Sequence, residues 1–177
     1  MGTVCELCTA VEMKNEKYIQ NSETDDSMTD DTITDNLEYS LVLELHNKLP
    51  AFDYNANAPH PDRVKRVYKS RTFLADDSVY DGEWNKYNLR DGRGISVWPN
   101  GDLYEGYWKN GKFNGKGRHI YFCGDVYEGD WVDHKRHGLG TYVYLDGTRR
   151  EGGWLNDEFH GKGYEKWPNG TIFVGEF

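Results

Sequence analysis

At 177 residues, with 37 % hydrophobic and 29 % charged side chains and a net charge of −9, the chain is long enough for one ordinary domain with a thin core. No apolar run approaches the roughly 20 residues that span a bilayer, and the N-terminus lacks the apolar stretch of a secretory signal, so an intracellular protein is expected. Three cysteines, Cys5, Cys8 and Cys123, make no disulfide framework, and the acidic balance gives phosphates no basic footprint, so nucleic acid is not an expected partner.

In chain order, "MGTVCELC" comes first. Gly2 is available for myristate once Met1 is removed, and Cys5 and Cys8 for palmitate, although Glu6 stands where Ser or Thr is usual. One acyl chain binds a membrane marginally, so a Gly-plus-Cys pair is the arrangement that would anchor. The same Cys5 and Cys8 have the spacing of half a zinc site, but no second Cys/His pair at ligand spacing accompanies them, so no metal site is expected. Next, "NSETDDSMTDDTITD" at 21–35 carries six acids and no base, a composition that cannot offset its ordering entropy.

"DNLEYSLVLELHNKLP" follows. Leu37, Leu41 and Leu45 share one helical face, Asp35 and Glu38 form a capping box, and Pro50 closes the stretch. The alternation Leu37, Tyr39, Leu41, Leu43, Leu45 fits a strand as well; helix is the preferred reading. Such a helix could dock on its own chain or on another. The proline-bearing "PAFDYNANAPHPD" should run extended. Arg63, Lys65, Arg66, Lys69 and Arg71 then form a basic run, read as a solvated segment or as a contact for an acidic filament or anionic lipid.

From residue 80 the chain repeats itself. "YDGEW" at 80, "YEGYW" at 104, "YEGDW" at 127, "REGGW" at 150 and "FVGEF" at 173 are spaced 24, 23, 23 and 23 apart. Each full unit then shows Gly-x-Gly (Gly92/Gly94, Gly115/Gly117, Gly138/Gly140, Gly161/Gly163) and a closing glycine (Gly101, Gly124, Gly147, Gly170). Tyr127, Gly129 and Trp131 alternate onto one strand face, and "GLGTYVYLDG" supplies a second β-prone run ending in a turn signal. One unit is therefore one hairpin. Glycine makes room, and the aromatic rings fill it. Since single hairpins are marginal, successive units should stack into one elongated antiparallel sheet. "RTFLADDSV" before Tyr80 and "FVGEF" read as half-repeat caps.

These units closely resemble the MORN family (membrane occupation and recognition nexus), whose repeat reads much like "YEGEWxxGxxHGxGxxxxxxGxx". The departures are the longer first turn at Tyr87-Asn88 and Arg150 where an aromatic residue usually opens the unit. The resemblance implies an all-β fold and a non-catalytic scaffold or adaptor without cofactor. It also implies a place in the cytoplasm or cytoskeleton, in a ciliary, axonemal or other cytoskeletal assembly whose other protein chains are its partners. An acylated peripheral tether between membrane and cytoskeleton is the alternative. The plan is a flexible acidic segment 1–36, a short helix and extended linker 37–69, and a repeat domain 70–177. That domain comprises a cap 70–79, full repeats 80–103, 104–126, 127–149 and 150–172, and a partial unit 173–177.

Partner binding is expected from the aromatic face, through Tyr104, Trp108, Tyr121, Tyr127, Trp131, Tyr144, Trp154 and Trp167, together with Leu37, Leu41 and Leu45. Trp108 and Trp131, at equivalent positions, should stack as neighbours. His137 and His160 share one slot in successive units and read as structural. The row Asp81, Glu105, Glu128, Glu151 reads as a solvated ladder rather than catalytic carboxylates.

Overall fold

The structure, a computed structural model, describes residues 44–55 and 64–177. Ten strands run in chain order: β1 (Val67–Phe73), β2 (Val79–Trp84), β3 (Arg90–Val97), β4 (Leu103–Lys109), β5 (Lys112–Ile120), β6 (Val126–Val132), β7 (Lys135–Val143), β8 (Arg149–Leu155), β9 (Glu158–Lys166) and β10 (Ile172–Glu176). Each pairs antiparallel with its sequence neighbours in one open sheet, β1 to β10. At roughly 4.8 Å between strands, the ladder is about 45 Å long. β1 and β10 are the half units at its two ends. β1 already begins at Val67 and takes in Lys69 and Arg71 of the basic run.

Two turn types alternate. Within a unit, Asn110–Gly111, Asp133–His134 and Asn156–Asp157 hold positive φ at both positions, the geometry of a tight two-residue hairpin turn. The first unit differs: Asn85 N–H bonds the Leu89 carbonyl at 3.0 Å across a longer loop in which Asn88 carries the positive φ. Between units, the closing glycine bonds back to an aromatic carbonyl, as Gly101 N–H does to Trp98 at 3.0 Å and Gly124 N–H to Tyr121 at 2.8 Å. Asp77 N–H bonds the Leu74 carbonyl in the same way, which puts β1 in phase with the repeat.

Across the sheet the repeat becomes a row of glycines in register: Gly82, Gly94, Gly106, Gly117, Gly129, Gly140, Gly152, Gly163 and Gly175. The physical reason lies in the tyrosine of each unit. A Cβ on Gly117 would stand 2.2 Å from Tyr104 Oη, and one on Gly140 2.3 Å from Tyr127 Oη. The ring of one strand thus lies flat over the glycine of the next.

Side chains on the two faces form separate cores. On the first face Tyr80, Trp84, Tyr104, Trp108, Phe113, Tyr127, Trp131, Tyr142 and Trp154 pack into one aromatic layer. On the second, Val79, Val97, Leu103 and Ile120 make an aliphatic row, with Leu45 and Leu49 packed on it. Those leucines belong to the short helix at 44–48 and the residue that ends it. The row's four residues lie on β2 to β5, the part of the sheet on which the helix packs.

Candidate functional site

The aromatic layer holds itself together. Each tryptophan of units two to four donates its indole N–H to a glycine carbonyl on the preceding strand: Trp108 to Gly94 at 3.1 Å, Trp131 to Gly117 at 3.1 Å, Trp154 to Gly140 at 3.2 Å. Trp84, at the same slot of the first unit, has a buried indole N–H with no acceptor among the described residues. The neighbouring β1 is shifted between Lys69 and Thr72, and Lys69 Nζ lies over the Trp84 ring instead, 4.8 Å from its centroid. The tyrosine hydroxyls donate within their own strands, Tyr104 to the Tyr107 carbonyl at 2.9 Å and Tyr127 to Asp130 at 3.1 Å. Burial pushes the Tyr104 phenol well above its ordinary pKa, so it remains a donor.

Trp108 and Trp131 do not stack on each other, contrary to the expectation from their equivalent slots. The Tyr104 and Phe113 rings, stacked at 3.7 Å, lie between them and meet both edge-on at 4.9 to 5.6 Å. Tyr104, Tyr127, Trp108, Trp131 and Trp154 are all buried, the first two at 0 % exposure. Tyr121, Tyr144 and Trp167 form the half-buried rim.

A slot that sequence reading missed completes this layer. Two residues before each Gly-x-Gly stand Arg90, Phe113, Arg136 and Phe159, alternately cationic and aromatic. Arg90 lies 4.3 Å over Trp108, and Arg136 4.9 Å over Trp154. In the fourth unit the pair is exchanged: Arg150 occupies the tyrosine slot and Phe159 supplies the ring, with Arg150 bonded to Glu165 at 3.0 Å and to the Tyr144 hydroxyl at 2.8 Å. The Arg150 departure therefore leaves the strand register of β7 and β8 unbroken.

Arg90, Phe113 and Arg136 each meet the hairpin turn of the following unit, and Phe159 meets the Phe177 ring at 4.4 Å. Arg136 pairs with Asp157 at 3.3 Å and donates to its carbonyl at 3.0 Å, while Phe113 meets the His134 ring at 4.6 Å. Arg90 meets Gly111 and reaches only its carbonyl, at 3.4 Å. Beside Arg90 a cavity of about 490 Å³ is lined by Trp98, Pro99, Asn100, Asp102, Phe113, His119 and His134. His119 Nε2 is buried without a hydrogen bond among the described residues, 3.9 Å from Asp102 Oδ2, and burial pushes the His119 pKa down to about 4.

On the opposite face the segment 44–55 runs as a strap over β3 to β5. Leu45 and Leu49 sit on the aliphatic row, and Arg118 Nη1 donates to the Pro50 carbonyl at 2.8 Å. Arg118 also pairs with Glu105 at 2.9 Å and Glu128 at 2.8 Å, and His46 Nε2 lies 3.4 Å from Glu105. Glu105, expected in a solvated ladder, is instead buried beneath the strap. Beyond it, Tyr54 meets the Tyr107 ring edge-on at 5.8 Å, and the Tyr107 hydroxyl donates to the Tyr54 carbonyl. Next to Phe52 and Asp53, a groove of about 430 Å³ continues over Glu128, Leu139, Thr141, Glu151 and Tyr164. Leu45 thus docks in cis, on the aliphatic face. Leu37, Leu41, Gly2, Cys5 and Cys8 lie outside the described residues.

A family model described as the MORN repeat matches residues 80–103, 104–125, 127–149 and 151–172. No curated protein matches this chain. Among solved structures, the TCP domain of SAS-4 (dCPAP), in complex with a proline-rich motif of Ana2 (dSTIL) of Drosophila melanogaster, is similar at 15 % identity. That match covers 71 % of this chain and 97 % of the other with a TM-score of 0.33. Four matched units spanning half of the sequence, each folded as one hairpin of a continuous sheet, make the chain a member of the MORN repeat family.

Proposed function

We propose that the protein is a non-catalytic scaffold or adaptor of a ciliary, axonemal or other cytoskeletal assembly, holding segments of partner chains against its repeat sheet. The observation that carries this reading is the strap. Residues 44–55 show how the aliphatic face takes a short helix and the extended peptide after it: two leucines on the row, a main-chain carbonyl on Arg118, and aromatic residues beyond. The same face of β6 to β10 has no such cover among the described residues, and leaves Leu139 66 % and Val174 75 % exposed. These apolar side chains lie on the same sheet face that the strap occupies over β3 to β5. The titratable groups that could suggest catalysis are tied to the repeat itself, His119 within the aromatic layer and Glu105 in the ion pairs under the strap.

The test is fractionation of the tagged protein from ciliated cells. Retention in the detergent-resistant cytoskeletal pellet, lost in Leu139→Asp and kept in Gly2→Ala, is the expected result. Release of the wild-type chain by detergent alone, or membrane loss caused by Gly2→Ala, would replace the scaffold with an acylated tether.

A further inference from the structure

The pairing between slot and turn has one gap. Arg136 has Asp157 and Phe113 has His134, but Arg90 faces Gly111. Its guanidinium is held over Trp108, and its two hydrogen bonds, to Ser96 Oγ at 3.5 Å and Gly111 O at 3.4 Å, are at the outer limit for such contacts. A partly buried cation with five N–H donors thus has two long hydrogen bonds, both to neutral oxygens, and no carboxylate bonded to it among the described residues. Asp76, the acid whose charge acts most on Arg90, accepts hydrogen bonds from the N–H and hydroxyl of Ser78. Asp102 accepts from Asn100 and from the Phe122 N–H.

The second observation is the cavity itself. About 490 Å³ opens beside Arg90, walled by Trp98, Pro99 and Phe113, and lined also by His119, whose Nε2 has no hydrogen bond among the described residues. We infer that this pocket on the aromatic face is a receptor for a partner's acidic side chain: the carboxylate of an Asp or Glu pairs with Arg90, and the apolar residues flanking it lie against Trp98 and Phe113. The carboxylate takes the place that Asp157 takes for Arg136. One planar guanidinium matches one carboxylate in a bidentate pair. A phosphate dianion or an anionic lipid surface would call for more cations than this pocket, with its single arginine, holds.

This inference rests on the adaptor reading and gives that adaptor's partner a chemistry. The purified full chain tests it in solution, so failure here and failure of the cellular fractionation are separable. Isotope-labelled protein is titrated with N-acetyl-Leu-Glu-Leu-amide, with the Leu-Gln-Leu analogue, and with inorganic phosphate, reading the Trp98 indole N–H and the His119 and His134 ring signals. The expected result is saturable shifts with the Glu peptide, at least tenfold weaker binding of the Gln peptide, and no matching response to phosphate. Arg90→Gln should weaken the Glu peptide about tenfold.

Should Arg90→Gln fail to fold, Gly111→Asp serves instead. Gly111 holds φ 86°, close to the 77° of Asp157, and a Cβ there meets nothing within 4 Å. The new carboxylate should fill the gap from within and abolish peptide binding in a folded protein. Equal binding of Glu and Gln peptides, phosphate binding as tightly as the Glu peptide, unchanged binding in Gly111→Asp, or no shifts at all would overturn the inference. Binding that emerges only after the six acids of 21–35 are neutralised would also overturn it, in favour of the chain's own acidic segment.

Discussion

Strands β2 to β5 and β6 to β10 grow from the same repeat, yet they stand in different surroundings. Their aromatic faces are alike: Trp108 and Trp154 are both buried, each bonded to the glycine carbonyl of the strand before. The aliphatic faces differ. Leu103 and Ile120 are fully enclosed near the strap, while Val143 on β7 is half-buried and Ile172 on β10 is 56 % exposed. The repeat thus makes one face self-sufficient through rings that fill the space left by glycine. The other face is completed by a segment outside the repeat, which reaches only part of the ladder.

The largest effect should test the shared face. Trp108→Ala and Trp154→Ala should each cost about 3 to 5 kcal/mol, with nearly equal losses by denaturant unfolding. A loss several-fold smaller at Trp154 would mean that the layer depends on the strap and is not self-sufficient.

Acid should separate the halves. His119 lies on β5, and its counterparts 23 and 46 residues on are Tyr142 and Glu165. Its folded pKa, about 4, lies below the ordinary 6.5, so the unfolded chain binds the proton first. The stabilisation is complete above pH 6.5 and is lost as pH falls toward 4, by about 3 kcal/mol. Thermal melts across that window should fall steeply in the wild type and much less in His119→Gln; parallel curves would contradict the assignment.

Aliphatic truncation sharpens the contrast. Ile120→Ala, under the strap, should cost about 3 kcal/mol, and Val143→Ala, on the uncovered face, about 1. Equal costs would show that something else covers the second half.

Glycine gives the smallest effect. Gly117→Ala should cost about 2 kcal/mol, because a methyl group would press on the buried Tyr104 ring. Gly161→Ala, with open space but φ 70°, should cost about 1. A reversed order in thermal unfolding would refute the ring-over-glycine account.

Much of this was legible in the sequence because a fixed period registers every strand at once. The hairpins, the two half units and the fit of glycine to ring all followed from the 23-residue spacing. The Gly-x-Gly pattern does not tell its two members apart: Gly115 and Gly138 hold positive φ, and Gly117 and Gly140 lie under the hydroxyl ends of Tyr104 and Tyr127. The face that the leucines choose was not legible, since docking depends on which surface the repeat leaves unfilled, and a single period says nothing of that. Phe52 and Tyr54 could have been noticed as an alternating pair after Pro50. The Arg90 slot could have been found by aligning the residue two before each Gly-x-Gly. Its meaning needed the turn of the next unit, 21 residues away and brought near only by the stacking.

Hydrogen exchange on the full chain, resolved by strand and compared with a Leu45→Asp/Leu49→Asp variant, tests the asymmetry most directly. Amides of β3 to β5 should be the most protected and β8 to β10 the least. The variant should bring β3 to β5 down toward the level of β8 and β9 and leave the later strands unchanged. Uniform protection along the ladder, or a variant that alters all strands equally, would contradict the account.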